Sequence, residues 1–142
     1  MNKFLFYLLS FTWGLPITLV GLLVALVLLI TKHKPEKYGC CLHFKVGDNW
    51  GGLNLGVVFL TDKTPATSTK NHEHGHAIQN CYWGFLTPFV ITIPSAIRYW
   101  YRELKYYKKG KTPPTEYDAF WVEADATSRG AEFMMNLRRR VI

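Results

Sequence analysis

The chain has 142 residues, 49% of them hydrophobic, and a formal net charge of +7, which suits one modest domain with a single core. Three cysteines, Cys40, Cys41 and Cys81, are odd in number and lack C-x-x-C spacing, so they read as reduced or buried thiols and exclude a disulfide frame. The positive charge does not point to nucleic acid. Its lysines and arginines cluster beside apolar segments, a pattern that attracts anionic lipid instead.

The run Phe4 to Ile30, FLFYLLSFTWGLPITLVGLLVALVLLI, has 27 residues and no charge. A bilayer-spanning helix needs roughly 20. The core of a cleaved signal peptide is shorter, about 7–15 residues, and is followed by a small-x-small site that this run lacks. The expectation is a retained transmembrane helix, kinked at Gly14 and Pro16, with residues 1–31 as an anchor. Beyond it, Tyr38 to Val46 and Leu53 to Leu60 are strand-like and flank the turn-rich GDNWGG. They predict a β-hairpin whose glycine-containing second strand lies at an edge.

Thr64 to Thr69 is a loop, in which Ser68 or Thr69 could cap a helix running to about Trp83 and stopping near Gly84. Residues 85–101, FLTPFVITIPSAIRYWY, predict an apolar helix containing Pro88 and Pro94. KKGKTPP breaks the pattern, and Thr115 with Asp118 forms a capping-box-like start to a last helix that ends in RRR. The fold class expected is an α+β membrane protein, with residues 32–142 forming one domain behind the anchor.

The chemistry concentrates in KNHEHGHAIQ, residues 70–79. On a helix His72 and His76 lie one turn apart on one face, the spacing at which two imidazoles grip one zinc ion with Glu73 beside them. Gly75 suggests close packing at that turn, because mid-helix glycine costs about 1 kcal/mol relative to alanine. His74 points to another face. Hydrolytic zinc takes a third protein ligand, and the downstream carboxylates are Glu103, Glu116, Asp118, Glu123, Asp125 and Glu132. Glu116 and Asp118 suit a helix first turn; Glu103 sits among basic residues, and Glu132 shares a polar face. Glu123 has Ala119, Ala126, Thr127 and Gly130 as helical neighbours, a small-residue seam that lets another helix approach. The competing reading of Glu123 is a buried glutamate paired with an arginine.

HEHGHAIQ, GFLTPFVITIPS and FWVEADA together resemble the gluzincin metallopeptidases in order, and a group of small bacterial membrane proteins carrying H-E-x-G-H-x-I-Q in detail. The similarity spans roughly residues 51–130. It implies a zincin-like domain with His72, His76 and Glu123 as ligands of one Zn2+ and Glu73 as the catalytic base, in a bacterial or phage-encoded inner membrane. Many gluzincins place an aspartate four residues after the ligand glutamate. Here Thr127 stands there and Asp125 lies two residues on.

A shared metal puts both later segments on one side of the membrane. The six Lys/Arg of residues 32–81 and the nine of residues 102–142, against Lys3 alone before the first apolar run, assign that side to the cytoplasm. The sequence therefore predicts an N-out integral membrane zinc hydrolase, a peptidase working at the cytoplasmic membrane surface. Its partners would be membrane lipid and a peptide or membrane-protein substrate, with no nucleic acid. Tyr82, His74 and Tyr117 are open candidates for stabilising an oxyanion. One alternative is a structural zinc site closed by His74 or His43, and another is a basic single-span adaptor without metal.

Overall fold

The computed structural model describes residues 1–140; Val141 and Ile142, the end of the expected 32–142 domain, lie outside the described residues. The N-terminal run corrects the first expectation. It forms two helices, α1 (Lys3–Phe11) and α2 (Leu15–Ile30), bent by 92° at the break. No single helix among the described residues is long and apolar enough to cross a membrane, so the expected transmembrane helix is not formed. The corner has both local and distant causes. Thr12 turns its hydroxyl back to the Leu8 carbonyl, Pro16 belongs in a helix first turn, and Asn80 donates to the Gly14 carbonyl at 3.1 Å. A Cβ on Gly14 would run into that Asn80 amide.

The predicted hairpin is also corrected. The two expected strands divide into four: β1 (Glu36–Tyr38), β2 (Cys41–Lys45), β3 (Gly52–Leu55) and β4 (Val58–Thr61). The divisions fall at Gly39 and Gly56, whose φ values of +61° and +71° close tight turns. The sheet order is β1-β2-β4-β3, antiparallel except for a parallel β2–β4 pair. GDNWGG thus links β2 to β3 without pairing them, and the edge strands are β1 and β3. Phe44 and Phe59 are fully buried in the core, each side chain contributing about 1.5–3 kcal/mol of transfer free energy.

Helix α3 (Thr67–Trp83) ends at Gly84 as expected, but Ala66 stands at its N-cap without a side-chain bond. The expected helix 85–101 is composite: a 3-10 turn (Gly84–Leu86), a π turn (Pro88–Thr92) and α4 (Ile93–Lys105). The last helix, α5 (Trp121–Arg139), starts later than the capping-box reading placed it. Arg102 donates to the Thr115 carbonyl, and Arg98 to those of Glu116 and Tyr117. These bonds hold the segment against α4 and out of the helix.

Helices α3 and α5 pack backbone to backbone. A Cβ on Gly75 would strike the Ala126 carbonyl, and one on Gly130 the Asn71 carbonyl. The small-residue seam is therefore real from Ala126 onward; Ala119 precedes the helix.

Candidate metal centre

Helix α3 brings His72, Glu73 and His76 to the α5 interface, where Glu123 stands in the first turn of α5. Glu123 Oε2 lies 3.0 Å from His72 Nε2 and 3.3 Å from His76 Nε2, and the two ring nitrogens are 3.1 Å apart. Glu123 is wholly buried. Its ion-pair partners are histidines and not an arginine, which the competing reading of Glu123 required; Arg129 on the same helix pairs with Asp125 at 2.7 Å.

The outer sides of both rings are fixed. Gln79 donates its amide nitrogen to the Val122 carbonyl (2.9 Å) and to Asp125 Oδ2 (2.8 Å). Its oxygen is thereby left facing His76 Nδ1 at 2.7 Å, so Nδ1 is the donor, and when His76 is neutral its Nε2 lone pair faces Glu123 and His72. His72 Nδ1 meets Thr127 Oγ1 at 2.8 Å. Thr127 therefore acts directly on His72, and Asp125 acts on His76 through Gln79. Sequence reasoning gave Gln79 no role. The signal was present, since position i+3 from His76 puts it on the same helical face.

Electron-pair donors converging at 3.0–3.3 Å repel unless a cation or protons lie among them. Tetrahedral ligands about 2.0–2.1 Å from zinc are roughly 3.3 Å from one another. The group His72, His76 and Glu123 could thus hold one metal ion, and the donor set fits it. Burial would raise the Glu123 carboxyl, but hydrogen bonds from His72 and His76 and the His76 charge outweigh it and hold Glu123 well below the carboxylate range. For His76 burial works downward, and Glu123, Glu73 and Gln79 together raise it.

Glu73 is buried and pushed upward, chiefly by burial, with the two histidines opposing and Glu123 adding to the rise. Its Oε2 has no protein partner. A Cβ on Gly52 would come within 2.5 Å of its other oxygen, so β3 meets the glutamate where only glycine fits. Glu73, His72 and His76 line a cleft of about 200 Å3 between β3 and the π–α4 segment, with Trp50, Tyr99 and Tyr117 on its walls.

The remaining candidates separate clearly. Tyr117 faces the cleft, its ring centroid 6.1 Å from that of His72. Tyr82 is exposed beneath the Arg129 guanidinium. His74 accepts from the Cys40 amide at 3.1 Å and stacks between Phe6 and Phe133; burial lowers it to about 4. His43 bonds Thr61 within the sheet. Neither histidine joins the cluster, and Glu116, Asp118 and Glu132 are exposed away from it. The chain matches no protein-family model, no curated protein and no solved structure.

Proposed function

We propose that the protein is a zinc-dependent hydrolase of the metallopeptidase kind. The observation that carries this reading is the convergence of two imidazole nitrogens and one carboxylate oxygen on the wall of a cleft that Glu73 also lines. Mixed nitrogen and oxygen donors suit zinc, whereas calcium and magnesium take oxygen sets. Three protein ligands beside an open cleft fit a catalytic site; a structural site closes with four. His43 and His74, which could have closed it, are bonded elsewhere.

Zinc, when bound, would supply Lewis acidity to polarise a substrate carbonyl and acidify a water molecule. The chain's own residues do the rest. Glu73 takes the proton from the attacking water and delivers it to the leaving nitrogen as the C–N bond breaks. Tyr117 is placed to donate its hydroxyl to the oxygen on which charge develops, its phenol kept protonated by burial and by Glu123. The edge strand β3 offers backbone groups to an extended peptide along the cleft, and Gln79 and Thr127 hold the two rings in register.

The test is metal content and peptide hydrolysis in wild type, Glu123→Ala and Glu73→Gln. Wild type is expected to hold about one zinc per chain and Glu123→Ala none. Glu73→Gln is expected to keep its zinc and to lose on the order of 10²–10⁴ in rate. Full activity in Glu73→Gln, in an assay where His72→Ala is dead, would remove Glu73 from the chemistry, and zinc-loaded wild type without peptide hydrolysis would end the hydrolase reading.

A further inference from the structure

Three helices of this protein each carry a large exposed apolar face. On α4, Arg102 is 6% exposed and donates inward, while Ile97 is 64% exposed. Phe89, Ile93, Ile97, Trp100 and Leu104 follow one another at intervals of three or four residues and are all exposed. They form a single apolar stripe along the segment, and of these five only Trp100 also lines the cleft. On α2 the inward residues are Ile17, Thr18, Gly21 and Ala25, of which Thr18 and Gly21 meet the backbone of the β3–β4 turn. Leu19, Leu23, Leu26 and Ile30 face outward, Leu23 at 65% exposure. Helix α1 also carries an exposed apolar face, with Phe6 and Ser10 inside and Phe4 and Leu8 outside.

In water the opposite arrangement is favourable. Each large aliphatic or aromatic side chain left exposed forgoes about 1.5–3 kcal/mol, and contiguous apolar patches mark interaction surfaces. The stripes join, because Trp13 at the α1–α2 corner meets Phe85, ring centroids 5.1 Å apart, at the head of the α4 stripe. Small residues inside and large ones outside is the packing of helices whose surroundings are hydrocarbon.

Charge selects the occupant. The apolar segments end in Lys32 and Lys34 after α2 and in Lys105, Lys108, Lys109 and Lys111 after α4, all exposed. No carboxylate occurs in residues 1–35 or 104–115. A second copy would set these lysines against their own kind. Anionic headgroups complement them, at about 1 kcal/mol per cation near the surface. Helix α2, at about 24 Å for its 16 residues, is shorter than the roughly 30 Å hydrocarbon core.

We propose that the outward faces of α1, α2 and the π–α4 segment lie within one leaflet of an anionic bilayer, with the lysine collar in its headgroup layer and the polypeptide not crossing. Trp100 belongs both to the stripe and to the cleft wall. The cleft mouth then sits at headgroup depth, where Trp and Tyr are at home, and opens to chains lying along the membrane surface.

The test uses the full chain, purified in detergent and presented to vesicles of phosphatidylcholine with or without phosphatidylglycerol. Wild type is expected to float with the anionic vesicles, and Leu23→Glu and Ile97→Glu each to lower the bound fraction roughly tenfold or more while retaining metal. Equal flotation of wild type and both variants would overturn the proposal. Spin labels at Leu23→Cys and Ile97→Cys supply a second readout, because the three native cysteines are buried. In vesicle-bound protein these labels are expected to collide with oxygen and to escape a water-soluble nickel chelate. Ready collision with the chelate would overturn the placement, as would protection of both labels in a defined lipid-free dimer. Neither measurement depends on turnover.

Discussion

The α3–α5 interface and the shell of α1, α2 and α4 solve opposite problems. The interface buries polar groups that are individually costly, including Glu123, Gln79 and His74, and holds them by backbone contact at Gly75 and Gly130 with hydrogen bonds behind the histidines. The shell leaves most of its large apolar side chains outside and, apart from Phe6 and Ile17, buries small or polar residues. Sensitivity to substitution should follow from this difference. In the interface a single methyl group matters; on the shell a large change should be felt only through the shell's surroundings.

The largest effect is expected at Gly75. Alanine there meets the Ala126 backbone, which no rotamer change relieves, so the helices must separate. Gly75→Ala is expected to lower stability by about 3 kcal/mol or more and to abolish stoichiometric metal, read from denaturant melts and metal analysis. A melt within 1 kcal/mol of wild type, with metal retained, would erase the contrast between the two regions.

Next comes the support behind the histidines. Gln79→Leu removes the acceptor that fixes the His76 tautomer, and loss of such support costs about 10–100-fold in metal affinity. Competition with a chromogenic chelator measures it. An unchanged affinity would mean that the ring is held by packing alone. The smallest effect is expected at Leu23. In detergent, Leu23→Ser is expected to stay within about 0.5 kcal/mol of wild type, because its side chain leaves the interior untouched. A loss comparable to that at Gly75 would show that this face is covered by protein.

The candidate centre was more legible than the fold around it, for a physical reason. His72, His76 and Gly75 are related by local helical spacing, and Glu123 was marked by the small residues that a close helix contact demands. Those relations survive whatever the rest of the chain does. The N-terminal run was misread because hydropathy reports how long an apolar stretch is; Gly14 and Pro16 marked where it bends, but not that the bend splits it into two helices. The 92° turn depends on Asn80, far along the chain, bonding Gly14. The parallel β2–β4 pairing is likewise nonlocal, and only the glycines at 39 and 56 hinted that two strands were four. Late initiation of α5 rests on Arg98 and Arg102 reaching across from α4, which no capping pattern contains.

Gln79 has one more consequence. Where a carboxylate stands directly behind a ligating imidazole, it pushes electron density through the ring and makes the far nitrogen a stronger base. Here that position is filled by a neutral amide, and the nearby negative charge of Asp125 is drawn off by Arg129 at 2.7 Å. The amide orients His76 without enriching it. With two neutral imidazoles and one carboxylate around it, a bound divalent cation would keep a full unit of positive charge, and the centre would be the more electrophilic for having an amide in that place.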